Sequence, residues 1–166
     1  MPPSDPPTAP PVRPFETILR PVLHRYWRLT RGLTLGVRAA VIDAENRILL
    51  VRHTYTKGWH MPGGGVEPRE TALTALAREL DEEACVALTG PPRLHGVFFN
   101  RKVGKRDHVL VYVVRDFAIA ADKRPDLEIA ETGFFPIDAL PEATTAPTRR
   151  RLQEIVTGAR DLPEAW

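Results

Sequence analysis

A single cysteine, Cys85, stands in the 166 residues, so no intrachain disulfide can staple the fold. That usage fits a reducing compartment, and the cytoplasm is the expected location. Long apolar runs are missing too. "VLVYVV" (109–114) is strand-sized, far below the ~18 residues that a membrane-crossing helix needs, so no membrane partner is expected. No basic-then-apolar order opens the sequence, and a secretory signal is not expected there. Neither sign of charge dominates. Lys and Arg number 23 against 21 Asp and Glu, a formal net charge of +2, which gives no compositional case for a nucleic-acid partner. No internal repeat is visible. What is present, 43% hydrophobic and 27% charged residues, is the profile of one soluble domain with a real core.

Proline crowds the start. "MPPSDPPTAPPVRP" (1–14) loses amide donors and backbone freedom at every second residue or so, which predicts an extended or disordered tail. "FETILRPVLHRYWRLTRG" (15–32) places Ile18, Leu19, Val22, Leu23, Tyr26 and Trp27 at helical spacing. It predicts an N-terminal helical extension that covers the core, with a homodimerisation helix as the alternative. Residues 33–160 then read as one domain. Strands are expected over 33–43 and 47–53, with a glycine-rich loop over 55–65. A helix follows over 67–84, with Pro68 and Glu70 in its first turn. Two further strands, 92–100 and 106–117, flank the basic loop "RKVGK" (101–105), and a short strand with turns occupies 131–144. A closing helix over 146–158 ends at Gly158. This order indicates an α/β or α+β sandwich around one mixed sheet.

The stretch "RELDEEACV" (78–86) concentrates acid. At about 100° per residue, Leu73, Leu76, Leu80 and Ala84 form the core-facing stripe. Glu79, Glu82 and Glu83 share an adjacent side, and Asp81 points away from them. Like charges at this spacing repel by roughly 0.2–0.5 kcal/mol per pair. Arg78 is the one basic residue nearby in sequence, so local pairing does not obviously relieve them. Oxygen-only ligands in this arrangement suit a hard divalent cation such as Mg²⁺ or Mn²⁺. The glycines that precede the helix let backbone groups approach a phosphate or a metal closely.

Gly64, five residues, Glu70, seven residues and then "RELDEEACV" resemble the Nudix box, Gly-x5-Glu-x7-Arg-Glu-U-x-Glu-Glu-x-Gly-U, with Leu80 and Val86 at the aliphatic U positions. The one departure is Cys85, where the family has glycine. A cysteine takes positive φ less cheaply, so a rearranged or strained turn is expected there. The resemblance implies an α/β/α sandwich around a mixed sheet. It also implies hydrolysis of a nucleoside diphosphate linked to some other group X. Carried over, Glu79, Glu82 and Glu83 hold one or more Mg²⁺ ions, with Mn²⁺ as an alternative, and the Gly63 carbonyl is a further ligand. Glu70 and Arg78 pair and, with Gly64, brace the box. Glu79 is the favoured general base, with Glu82 as a rival. A further acid is expected just before the aromatic strand of "DLEIAETGFFP" (126–136), with Glu128 favoured over Glu131.

Candidate substrate contacts are Arg52, Trp59, Lys105 and Arg106. The basic cluster at 101–106 is read as facing substrate phosphates or as an exposed hairpin tip. His53, Tyr55, Trp59 and His60 precede the glycines, and an aromatic there suits stacking on a base, although Trp59 fits the core equally well. "RRR" (149–151) is read as the solvated side of the last helix. The expected partner is a small nucleotide-type molecule. A non-catalytic nucleotide-binding regulatory module is the alternative, and the full set of box acids argues against it. An isopentenyl diphosphate isomerase, a second chemistry known on this fold, needs a reactive cysteine in its own motif, and Cys85 is misplaced for that.

Overall fold

The computed structural model describes residues 32–101 and 106–166. The tail expected over 1–14 and the helix expected over 15–32 lie outside the described residues, Gly32 apart, as do Lys102 and Lys105. Within Leu33–Trp166 the order is β1 (Thr34–Val41), β2 (Arg47–His53), α1 (Ala72–Ala84), β3 (Val86–Leu88), β4 (Arg93–Phe99), β5 (Asp107–Val114), β6 (Phe117–Ile119), β7 (Ile129–Pro136) and α2 (Ala146–Thr157).

A mixed three-stranded sheet has the order β1-β5-β4, with β1 parallel to β5 and β4 antiparallel to it. Two antiparallel pairs, β2-β7 and β3-β6, complete the strands. β3 and β6 are three residues each, too short for an alternation to announce them in the sequence.

Successive side chains of a strand point to opposite faces, and here both faces are covered. Val37, Ala39 and Val41 of β1 join Leu49, Tyr112 and Val114 beneath Leu76 and Leu80 of α1. Ala40, Ile48, Leu50, Val109, Val111 and Val113 face the other way, toward Leu152 of α2. The result is helix, strands, helix: the α/β/α sandwich expected. Packing continues past residue 160, where Leu162 and Trp166 lie against the second core. The amide of Phe99 donates to the Glu164 carbonyl at 2.7 Å.

Three helical expectations are corrected. Helix α1 begins at Ala72, not near 67, because the Thr71 side chain caps it by accepting from the Thr74 amide at 3.1 Å. Pro68 and Glu70 therefore lie in the preceding loop. Leu73, expected in the core stripe, is 49% exposed, because it sits in the first turn beyond the edge of the core; Ala75 is buried in its place. On α2, the three arginines are not all solvated. Arg151 is fully buried, its guanidinium 3.9 Å from the centroid of the Phe98 ring and 2.7 Å from Glu154. Arg149 turns back to the carbonyls of Pro141, Glu142 and Thr144.

Cys85 ends α1 with φ 52° and ψ 39°, and its amide donates to the carbonyls of Asp81 and Leu80. The left-handed turn is thus retained with a cysteine in it. The turn is not rearranged; it carries the backbone cost of a side chain in that region, roughly 1–2 kcal/mol.

Candidate active site

The glycine loop is laced to β1 by three backbone hydrogen bonds: Ala39 N–H to Pro62 O at 2.9 Å, Val37 N–H to Gly64 O at 2.9 Å, and Val66 N–H to Leu35 O at 2.8 Å. Two glycines are required by this approach. Gly63 has φ +135°, and a Cβ there would strike the Val37 carbonyl; one at Gly64 would strike the Glu79 carboxylate. Gly63 is held from both sides. Its amide donates to Glu83 Oε2 at 2.7 Å, and its carbonyl accepts from Arg38 Nη1. The same Arg38 nitrogen donates to Met61 O at 3.1 Å.

The acidic strip does not remain unpaired. Arg78 Nε and Nη2 reach the two oxygens of Glu70 at 3.1 and 3.2 Å. Its Nη1 reaches Glu79 Oε1 at 2.8 Å and Glu82 Oε2 at 3.1 Å, and Nη2 also donates to Gly65 O at 3.1 Å. One arginine relieves the repulsion that sequence alone left open, because a planar fork with five donors can serve several acceptors at once. The bonds from Arg78 hold the Glu70 carboxyl below its usual range. At Glu79 burial outweighs the same arginine, and the pKa is raised.

Glu83 turns inward instead. It is 3% exposed, and burial pushes its pKa up to about 7 against the opposing Gly63 amide. His53, 7% exposed, places Nε2 at 3.5 Å from Glu83 Oε1. Burial first, and then the nearby Arg38 guanidinium, lower the His53 pKa, so this is a contact of a neutral imidazole rather than an ion pair. Glu128 completes the group: one ligand atom from each of His53, Glu83 and Glu128 lies within 4.8 Å of the others.

The end of β2 and the start of β7 position that third acid. A bulge between Arg52 and His53 shifts the register so that Arg52 faces Glu131 and His53 faces Ile129. Glu131 is then occupied by Arg52, at 2.8 Å, while Glu128 accepts from the Tyr55 hydroxyl at 3.2 Å. The preceding loop is tied at both ends. Thr54 bonds the carbonyls of Glu128 and Leu127. Lys123 Nζ spans from Glu82 O, at 2.6 Å, to Asp126 Oδ2, at 2.5 Å.

Among the residues expected to touch substrate, Trp59 is 8% exposed and meets Phe135 edge-on at 4.9 Å, so it is part of the core wall. The Arg52 guanidinium lies 5.9 Å from its ring centroid. The exposed aromatic at this rim is Tyr55, at 69%. Arg106 is exposed at the β4–β5 hairpin, and Lys105 lies outside the described residues. Two residues were not singled out by sequence as parts of the site, Arg38 and the inward-facing role of His53. The available signals were a lone arginine in an apolar strand and a histidine ending "RILLVRH".

The carboxylates of Glu79, Glu82, Glu83 and Glu128 and the Gly63 carbonyl are hard oxygen donors. Buried Glu83 is the donor whose charge most needs a counter-ion. The donor set therefore fits a divalent cation.

Comparison with known proteins places this geometry in a lineage. The human protein named 8-oxo-dGDP phosphatase NUDT18 is 25% identical over 146 residues, covering 80% of this chain and 42% of that one. The rat diphosphoinositol polyphosphate phosphohydrolase 2 is 42% identical over 76 residues, covering 45% of this chain and 41% of that one. The chain thus spans about two fifths of the length of these curated relatives. The crystal structure of a MutT NUDIX hydrolase from Burkholderia pseudomallei superposes with a TM-score of 0.63 at 27% identity, covering 75% of this chain and 98% of that one. Residues 32–154 match the family model of the NUDIX domain, glycine loop, α1 and flanking strands included, and the chain belongs to that family.

Proposed function

We propose that the chain is a hydrolase that cleaves the pyrophosphate bond of a nucleoside diphosphate linked to a second group, using a divalent cation held at the acidic side of α1. The observation that carries this reading is Glu83, an acid 3% exposed, fixed to the Gly63 amide and gathered with His53 and Glu128. Glu79, Glu82, Glu83 and the Gly63 carbonyl are assigned as cation ligands, with Mg²⁺ or Mn²⁺ the expected ion. Arg78 engages Oε1 of Glu79 and Oε2 of Glu82, so the second oxygen of each is not taken by this arginine.

When bound, the cation neutralises phosphate charge and acidifies a coordinated water. The chain supplies the rest. Glu79 is assigned as general base, its proton affinity raised by burial, with Glu82 and Glu128 as rivals. As the water oxygen bonds to phosphorus, the base takes its proton, and the bridging P–O bond breaks with its electron pair leaving on the departing phosphate. Arg52, Lys105 and Arg106 are assigned to the remaining phosphate charge. A cleft of about 410 Å³ beside the site is lined by Arg52, His53, Tyr55 and Lys57 among others, and exposed Tyr55 takes the base-stacking role in place of Trp59.

The relatives' names speak of 8-oxo-dGDP and of diphosphoinositol polyphosphate, which supports a diphosphate as the shared element. The cytoplasm is the proposed setting, supported by the single half-buried thiol of Cys85. The test is a hydrolysis panel of dNTPs, oxidised dNTPs, ADP-ribose, dinucleoside polyphosphates and nucleotide sugars with Mg²⁺ or Mn²⁺. At least one is cleaved, and Glu82→Gln and Glu83→Gln lose that activity. Nucleotide binding without cleavage of any member favours a regulatory module instead.

A further inference from the structure

Four of the described histidines have buried or half-buried rings, and their hydrogen bonds differ. His108 on β5, like His53, leaves a buried Nδ1 without a partner among the described residues, and its ring lies tilted near that of Phe99. His60 Nε2 lies 3.1 Å from the Lys57 carbonyl, and His95 Nε2 lies 3.2 Å from Glu154. Each has the partner that a structural histidine needs. His53 is different. Its side chain is 5% exposed, its Nδ1 has no hydrogen-bond partner among the described residues, and its Nε2 is directed at Glu83 Oε1 across 3.5 Å. That gap is long for a hydrogen bond. It is a separation that two ligands of one cation, each at roughly 2.0–2.2 Å from it, can span. Glu128 comes to the same point from the other side of the β2–β7 bulge.

We propose that His53 supplies a nitrogen ligand to the cation of this site, together with Glu83 and Glu128, and that the chain therefore prefers Mn²⁺ or another transition divalent ion to Mg²⁺. The inference rests on the metal-dependent reading above and adds a donor to it. Carboxylates and carbonyls alone serve Mg²⁺ and Mn²⁺ alike, whereas an imidazole nitrogen favours the transition divalent ions over Mg²⁺, with the smallest gain at Mn²⁺, the weakest binder of the series. The position is built for the role. The bulge after Arg52 turns that arginine outward onto Glu131 and leaves His53 inward. The second core, with Met61 and Trp59, underlies the same strand. The imidazole is thus buried at the very end of β2.

The experiment uses the full chain loaded with Mn²⁺ and reads pulsed EPR for the ¹⁴N modulation of a directly bound imidazole. Wild type shows the modulation, His60→Gln keeps it, and His53→Gln loses it. In parallel, Mn²⁺ titration followed by the free-ion EPR signal, repeated with Mg²⁺ as competitor, gives both affinities. His53→Gln weakens Mn²⁺ by at least about 10-fold, the low end of the range seen when even outer-shell partners of a metal site are removed, and Mg²⁺ far less. Mn²⁺ binding that depends on Glu83 but shows no ¹⁴N modulation overturns the role of His53 and leaves the metal site standing. An absence of Glu83-dependent Mn²⁺ binding overturns both.

Discussion

Replacing Glu83 by glutamine removes a proposed ligand and should, in metal-free protein, make the fold more stable. The wild-type carboxyl is 3% exposed, and its pKa rises from an ordinary 4.5 to about 7. A folded state that holds a proton more tightly than the unfolded chain gains stability below the unfolded value. It loses that gain as pH climbs through the folded value. For a rise of this size the loss is roughly 3 kcal/mol, complete by about pH 8. Glutamine keeps an oxygen for the Gly63 amide and never ionises. Urea unfolding of both proteins in EDTA, from pH 4 to 8, isolates the effect. The pH dependence from lowered His60 and lowered Asp126 is common to both chains and cancels in the difference. His53 lies 3.5 Å from the substituted carboxyl, so the pair is also compared in a His53→Gln background. The variant should match wild type near pH 4 and exceed it by about 2–3 kcal/mol at pH 8. Millimolar Mn²⁺ should then close the gap, because it binds folded wild type. A stability difference that is flat across this range refutes the argument that burial of an uncompensated acid shapes the site.

Cys85→Gly relieves a left-handed side chain worth roughly 1–2 kcal/mol and returns about half of that as unfolded-chain entropy. It should be neutral or stabilising by up to about 1 kcal/mol in thermal unfolding, whereas Cys85→Val should destabilise. Arg78→Lys keeps the charge but has three donors for contacts now spread over Glu70, Glu79, Glu82 and Gly65; a loss of about 2 kcal/mol in urea unfolding is expected. Arg151→Ala leaves Glu154 without its partner at 2.7 Å and opens space over Phe98. It should cost about 3 kcal/mol or more. Arg151→Met refills the space over Phe98 but leaves Glu154 without the guanidinium, so it should recover only the packing part. The double change Arg151→Met with Glu154→Leu should cost much less; chemical unfolding of the three measures the contrast.

The box singles out a set of acids in sequence, from Gly64 through Glu70 to Glu83, of which Glu83 is the one gathered with His53 and Glu128, and the strand order gave the layers. Three things were not legible, each for a physical reason. The direction in which each acid turns depends on partners far away in sequence, as when the Gly63 amide draws Glu83 inward. The β2–β7 bulge, which sets Glu131 onto Arg52 and leaves Glu128 to Tyr55, shifts facing by one residue without a composition signal, although a place before the aromatic strand already favours Glu128. Sequence leaves Trp59 open between core and substrate and puts Arg151 in solvent, because amphipathic side chains serve core and surface alike; the Phe135 and Phe98 rings decide them.

Lys123 acts as a strut of fixed length. With one ammonium on the carbonyl of Glu82 and the carboxylate of Asp126, it ties the last turn of α1 to the loop that bears Glu128. A chain with a shorter or apolar residue there would keep every acid proposed for the site, yet Glu82 and Glu128, two of them, would lose this tie between their supports. The aperture between helix and loop is thus gauged by a residue that belongs to neither the box nor the chemistry. Evolution or an engineer seeking a wider or narrower substrate could begin at position 123 without touching a catalytic group.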